Sequence, residues 1–306
     1  PSGFRWTFDE KGTLNGVRLP GYRRIDLALE RRFSFRTWGM KLYFQVGRIF
    51  NELRARGIAE DAPLKTGDLT AFDQYHYLGT DTVDEAARRL GVSASSHVLD
   101  VGAGIGGPAR HLAATTGCRV MAVELQPELN ATAASLTARC GLGDRVRHLE
   151  GDFLAHDVAA WRCDGMVSWL VFLHIADRAA LLRQIRRALK PGSKVFIEDF
   201  HKRAELPPAE WRDIRQQVYC QALPSLEEWR AQFRDAGFAD IEITDMTETW
   251  KPFVTGRMNS FRAEEARNVA VHGRLVFDAL DEFYTTMDRL FGGGNLGGIR
   301  VVATAP

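Results

Sequence analysis

Cysteine, charge bias and long apolar runs are what this sequence lacks. Its four cysteines, Cys118, Cys140, Cys163 and Cys220, are scattered and form no CxxC pair. That spacing argues against a zinc ribbon and a disulfide frame, and fits reduced thiols in a cytoplasmic protein. No His/Asp cluster has ligand spacing, so no metal is expected. No apolar run approaches the ~20 residues needed to cross a bilayer. The first residues, PSGFRWTFDEKG, hold no apolar signal core. Membrane attachment is therefore not expected. A net charge of +1 gives no general reason to expect nucleic acid as a partner. Internal repeats and low-complexity tracts are also missing.

What is present is an ordinary globular composition, 45% hydrophobic and 26% charged over 306 residues. That length suits one large domain, or a core with a cap. The charge is unevenly spread. Residues 1–60 carry Arg5, Lys11, Arg18, Arg23, Arg24, Arg31, Arg32, Arg36, Lys41, Arg48, Arg54 and Arg56 against six acids. Such an arm could dock on its own subunit or on a second copy, cover an anionic acceptor, or simply be a solvated face. Residues 1–21 read as extended or loosely ordered. Arg23–Arg56 reads as helix, with an apolar face from Ile25 to Phe50 that Gly39 and Gly47 could interrupt.

The most informative stretch is His97–Pro108, HVLDVGAGIGGP. Val98, Leu99 and Val101 are strand formers, the glycines make a turn, and Pro108 suits the first turn of a helix. A strand, a glycine turn and a helix start form a ligand site, because the backbone can approach closely and helical N–H groups are unpaired. Glycine spacing alone does not distinguish nucleotides. Asp100 does, because a pyrophosphate would be repelled there, whereas a cationic amino group such as that of S-adenosylmethionine would be held. Glu124, at the end of the next apolar run RVMAVE, is placed to accept ribose hydroxyls.

Beyond this point strands and helices alternate. Strands are expected at Arg119–Glu124, Val146–Leu149, Gly165–Trp169 and Lys194–Asp199, with helices at Pro127–Cys140 and Arg178–Leu189. Alternation of this kind makes a parallel sheet covered by helices, with ligands at the strand C-termini. Thr82–Leu90 reads as a helix capped by Thr80 or Asp81, after an unusual segment, FDQYHYLG. Later come helices over Ala209–Gln221 and Leu226–Ala236 and a sixth strand at Ile241–Ile243. Thr247–Leu296 is largely helical and includes Trp250, Phe253, Phe283 and Tyr284. Gly292–Gly298, GGGNLGG, lacks a GK[ST] ending and precedes the last strand rather than a helix. It reads as a mobile connection back to the sheet.

The Asp100 to Gly106 segment resembles motif I of the class I S-adenosylmethionine-dependent methyltransferases, and Glu124 resembles their ribose-binding acid. The likeness runs through about Tyr75–Phe200 plus Ile299–Thr304. It is greatest to small-molecule enzymes of the sarcosine/dimethylglycine and phosphoethanolamine N-methyltransferase kind. It implies an α/β fold, a doubly wound, seven-stranded, mostly parallel Rossmann-like sheet. Residues 1–70 would be a helical arm and 71–306 the catalytic domain, with cap insertions at about 201–224 and 247–297.

The resemblance also implies residue roles. Asp100, Gly102, Ala103, Gly104, Gly106, Glu124, Leu125 and Gln126 would hold S-adenosylmethionine. Asp152 would accept from the adenine amino group and Phe153 would pack the ring, although an Asp after a strand can equally be a turn cap. Ser168 and Trp169 would close the cofactor site from the fourth strand. SWLV there is not the DPPY-type motif of nucleic-acid amino-methyltransferases. Tyr75 and Tyr77 would face cofactor or acceptor from a lid, the alternative being aromatic packing. His174 would deprotonate and position the acceptor, or be a histidine satisfied in a turn. Phe172, Trp211, Tyr219, Trp250 and Phe253 would line the acceptor pocket. The acceptor is a small molecule, with an amine nitrogen favoured by the likeness. Alkene carbon, oxygen and sulfur stay open, as does a cofactor-binding regulator without chemistry. Aromatic residues suit a carbocation and a methylammonium alike. A homo-oligomer joined through the arm is a further expectation.

Overall fold

The computed structural model describes Thr13–Leu14, Val17–Arg18 and residues 38–306, with side chains from Val46 onward. The expectations for residues 1–21, for the start of the Arg23–Arg56 helix and for most of the basic arm fall outside the described residues. The two short segments pair as an antiparallel β1 (Thr13–Leu14) and β2 (Val17–Arg18). Helix α1 follows at Trp38–Ala55. Ile49 and Leu53, one turn apart, are both buried.

The centre is a seven-stranded sheet with the order β5-β4-β3-β6-β7-β9-β8. The strands are β3 (His97–Val101), β4 (Arg119–Glu124), β5 (Val146–Glu150), β6 (Cys163–Trp169), β7 (Leu189–Lys202), β8 (Ala239–Asp245) and β9 (Leu296–Thr304). All pairings are parallel except those of β9 with β7 and β8. Central strands such as VMAV of β4 are buried on both faces, as a sheet covered on both sides requires. The chain runs from β3 outward to β5, then returns to place β6 on the other side of β3. That reversal leaves a crevice at the C-terminal ends of β3 and β6.

Helices α2 (Thr80–Leu90), α3 (Gly107–Thr116), α4 (Pro127–Arg139), α5 (Arg178–Ala188) and α7 (Leu226–Asp235) pack on or beside the sheet. Asp177 caps α5 by accepting from the Ala180 N–H at 2.8 Å, and Ser225 with Glu228 forms a reciprocal capping box on α7. The expected side-chain cap on α2 is not formed. Leu78 and Gly79 both have positive φ, so the helix starts at Thr80 with Gly79 as its cap. Asp81 remains in the first turn, where a negative charge favours the helix dipole.

Over the crevice lie α6 (Pro208–Val218), α8 (Thr247–Ala263) and α10 (Arg274–Gly292), while α9 (Glu265–His272) packs against α1, α8 and α10. The GGGNLGG stretch is not a mobile connection among the described residues. Gly292 ends α10, and Leu296–Gly298 already belong to β9, paired with β7. A side chain at Gly297 would run into His201 and Thr247, and one at Gly298 into the Trp250 ring. These two glycines let α8 lie close against the strand. No helix among the described residues is long and apolar enough to cross a membrane.

Candidate functional site

The glycine turn is built by backbone geometry. The Gly102 and Ala103 N–H groups both donate to the Val123 carbonyl, at 2.9 and 3.0 Å, which folds the chain back across the end of β4. Gly102, Gly104 and Gly106 all have φ between +55° and +75°, a conformation glycine adopts without a Cβ penalty. Gly102 has no room for a side chain because Val171 abuts it, whereas Gly104 faces open space. Glu124 joins the turn to the next helix. Its Oε2 accepts from Gly104 N and its Oε1 from Gln126 N, each at 2.9 Å. Burial pushes its carboxyl up, opposed by those N–H donors. Each carboxylate oxygen keeps a second lone pair, so ribose hydroxyls can be accepted without breaking the turn.

Asp100 is the most telling group. It is 1% exposed, and its Oδ2 has no hydrogen-bond partner. Burial and the nearby Glu124 charge push its carboxyl up to about 7. A buried, unmatched carboxylate facing a cavity is costly until a cation meets it. The cavity at this edge measures about 540 Å³. Asp100, Gly102, Ala103, Gly104, Leu125 and Gln126 line its floor together with Glu124, Asp152, Phe153 and Trp169. Leu125 is 59% exposed, an apolar side chain held at the cavity mouth. Gly106 does not line the cavity. It caps α3, and the Cβ it lacks would meet Arg110 and His148.

Asp152 combines both expectations. Its Oδ1 caps the short turn Phe153–Ala155 through Leu154 N at 2.9 Å, while the residue borders the cavity. Ser168 departs from the expectation. It is buried, its hydroxyl donates to the Val101 carbonyl at 2.8 Å, and it braces β6 on β3 outside the cavity. Trp169 does face the cavity and stacks on His76 with ring centroids 5.3 Å apart.

Tyr75 and Tyr77 both line the cavity, and burial pushes both phenols up. The residues between and before them hold the segment down. Arg110 pairs with Asp73 at 3.0 Å in a fully buried contact; Gln74 donates to Asp73, and its Oε1 lies 2.8 Å from His76 Nε2. Asp73 also lends its carbonyl to the wall against which Gly107 is packed. Asp73, Gln74 and His76 thus brace the segment, and Asp73 and His76 border the cavity together with both tyrosines.

His174 sits on the short turn Phe172–His174, exposed at the cavity wall, with Nδ1 3.5 Å from the Tyr219 carbonyl oxygen. The turn is set by Asp199, whose carboxylate accepts from Leu173 N and Phe200 N. Burial pushes the Asp199 carboxyl up to about 6. Tyr219, left-handed at φ +52°, ends α6 and lines the cavity.

Four expected acceptor residues lie elsewhere. Phe172 is fully buried against Trp229 at 5.6 Å with Arg178 over its ring. Trp211 lines a separate surface hollow with Leu206, Pro208, Arg212, Arg215 and Gln216. Trp250 is fully buried one layer behind the cavity, 4.4 Å from the Tyr77 ring, and Phe253 meets Tyr77 edge-on at 6.0 Å. Both support the wall rather than form it. Several cavity residues were not foreseen as such, Arg257 and Tyr284 among them. Arg257 projects from α8, and Tyr284 from α10 completes the same end. Arg257 falls seven residues after Trp250, on the face that also holds Val254. A cation on that apolar stripe was the available signal.

The sheet order, the glycine turn and the paired acids Asp100 and Glu124 define an S-adenosylmethionine-binding methyltransferase of the Rossmann-like class. Comparison with known proteins agrees. Residues 72–243 match a family model described as "Methyltransferase domain", and the chain belongs to that family. It is 27% identical over 219 residues to a sarcosine/dimethylglycine N-methyltransferase of Halorhodospira halochloris, covering 71% of this chain and 76% of that protein. It is 35% identical over 176 residues to a sterol 24-C-methyltransferase of Eremothecium gossypii, covering 56% of this chain and 45% of the other. Against several plant and bacterial N-methyltransferases the match spans 31–40% of the relative's length. In structure it resembles Haemonchus contortus phosphoethanolamine N-methyltransferase 2 in complex with phosphomonomethylethanolamine and S-adenosylhomocysteine. The TM-score is 0.73 at 22% identity, covering 90% of this chain and 61% of that one.

Proposed function

We propose that this chain transfers the methyl group of S-adenosylmethionine to a nitrogen of a small-molecule amine within the cavity above Asp100. The bound cofactor supplies an already activated methyl on a sulfonium. The protein's part is to align the acceptor lone pair and to exclude water. Asp100 would hold the cofactor's ammonium group, Glu124 its ribose hydroxyls, and Asp152 with Phe153 its adenine. His174 would take the proton from an amine that arrives as ammonium, since an ordinary imidazole titrates near neutrality. Tyr75 and Tyr77, kept protonated by burial, would donate hydrogen bonds that orient the acceptor. The single observation that carries the reading is the orphaned, buried Asp100 carboxylate at the end of β3.

The test is a panel of amines, phenols, thiols and prenylated compounds offered with methyl-labelled S-adenosylmethionine. Label is expected in an amine. Label only in a prenylated compound would move the reading to carbon methylation, for which the aromatic wall of Tyr77, Phe200 and Trp169 gives support. His174→Ala is expected to lower turnover ~10²–10⁴-fold near pH 7 with S-adenosylhomocysteine affinity unchanged. Full turnover in that variant across pH would remove His174 from the mechanism.

A further inference from the structure

The turn that carries His174 is held from two sides. On its donor side, the Asp199 carboxylate accepts from Leu173 N at 3.2 Å and from Phe200 N at 2.6 Å. The Phe172 N–H favours the same ionised form. On its acceptor side, the Leu173 carbonyl accepts from Gln221 N at 2.7 Å and Ala222 N at 3.2 Å. Those two residues follow closely on Tyr219, whose carbonyl oxygen lies 3.5 Å from His174 Nδ1. Leu173, His174, Phe200, Tyr219 and Gln221 all line the cavity, whereas Asp199 is fully buried behind them. One carboxylate near the end of β7 thus organises a cavity wall without being part of its lining.

The charge of that carboxylate is finely balanced. Burial is the largest influence on it and raises its carboxyl to about 6, against the pull of Arg178 and the N–H donors. Arg178, on α5, has its guanidinium over the Phe172 and Trp229 rings at 4.7 and 3.9 Å, and its Nε donates to Gln232 at 3.1 Å. Cys220, from the segment after α6, also faces Asp199. Burial first, and then Asp199, pushes that thiol up to about 12, so it stays neutral. A protonated carboxyl presents an O–H and gives up acceptor capacity. Buried N–H groups aimed at it are then left short of a partner, which is costly. We infer that Asp199 is a positioning residue for the acceptor wall: as a carboxylate it holds the Phe172–His174 turn, and with it the His174 ring and residues 219–222, and as a neutral acid it releases them. The inference rests on the methyltransferase reading for what His174 does. It adds a second proton, distinct from the one on the imidazole, that decides whether His174 is in place.

The test follows the 15N-labelled full chain by NMR from pH 4.5 to pH 8. The Leu173 and Phe200 amide protons are expected to move upfield on acidification with one shared midpoint near 6. The Gln221 amide, which donates to Leu173 rather than to Asp199, should show the same midpoint. In Asp199→Asn that inflection should vanish from all three amides, and the His174 ring protons should titrate at a different pH from wild type. Arg178→Met should move the shared midpoint upward, because a charge that favours the carboxylate is gone. Leu173 and Phe200 amides that stay flat over this range would overturn the inference. So would a Gln221 amide indifferent to pH, or one His174 titration curve common to wild type and Asp199→Asn, since the carboxylate would then hold only its immediate neighbours. The wild-type titration decides the matter even where a variant fails to fold. A chain that shows the shared inflection but binds no S-adenosylhomocysteine in calorimetry would sink the methyltransferase reading and leave the hold of Asp199 on the wall standing.

Discussion

Asp100 carries the sharpest consequence at the scale of a single residue. In the folded chain its carboxyl is raised from 3.8 to about 7, so folding takes up a proton between those values. The stability of the ligand-free protein should therefore fall as pH rises from about 4 to about 7. Asp100→Asn abolishes that loss, and its melting temperature should exceed wild type by a margin that grows between pH 5 and pH 8. Cofactor binding runs the other way, because an ammonium needs the ionised carboxylate. Calorimetric affinity for S-adenosylhomocysteine should drop by up to tenfold per unit below pH 7 in wild type. In Asp100→Asn it should be roughly ten- to a hundredfold weaker, as expected for losing a hydrogen bond to a charge, and nearly flat with pH. The position of these floor residues was legible in the sequence because it is set by the local backbone: a strand end, a positive φ, an adjacent acid. Phe172, Trp211, Trp250 and Phe253 were not, since an aromatic residue's side of a helix or turn is settled by which neighbour buries it. Arg257 was overlooked for the complementary reason. A search of the cap for rings passes over a cation that stands among them.

Among elements, the strands and sheet-covering helices were readable within a few residues because their periodicities are strong. β7 proved longer than expected, Leu189–Lys202, since β9 pairs with it along much of its length. The cap over the crevice could be read as helical but not as placed, because its contacts are all long-range. Its fastening is one such contact. Glu52 on α1 meets Arg267 and His272 on α9. These partners hold the Glu52 carboxyl well below its ordinary range, despite the opposing effect of burial, the largest single influence on it. A depressed carboxyl contributes stability above its unfolded value of about 4.5 that is lost as pH falls below it. Glu52→Gln is expected to destabilise the chain by about 1–3 kcal/mol, with Arg267 half-exposed and so limiting the effect. The loss should appear in urea melts at pH 7 and shrink towards pH 3. An equal loss at both pH values would show that the contact acts by shape and not by charge.

For the whole molecule, ligand binding and folding are one equilibrium. S-adenosylhomocysteine at 100 times its Kd should stabilise the chain by about 2.7 kcal/mol and raise the melting temperature by several degrees. A nicotinamide dinucleotide should not, since Asp100 would face its pyrophosphate. The reverse pattern would overturn the assignment of the floor. The Glu52 fastening also bears on how the protein is made. Its two halves are separated by more than two hundred residues, and a nascent chain leaves the ribosome N-terminal end first. Strands β3 to β6, with the glycine turn and its acids, can emerge while α9 is still untranslated. During that interval Glu52 lacks both of its partners on α9, although Ile49 and Leu53 can already join Leu64, Leu69, Leu129 and Leu136 in a common apolar cluster. The newborn enzyme would thus possess a place for its methyl donor before it possesses a closed chamber for anything to be methylated.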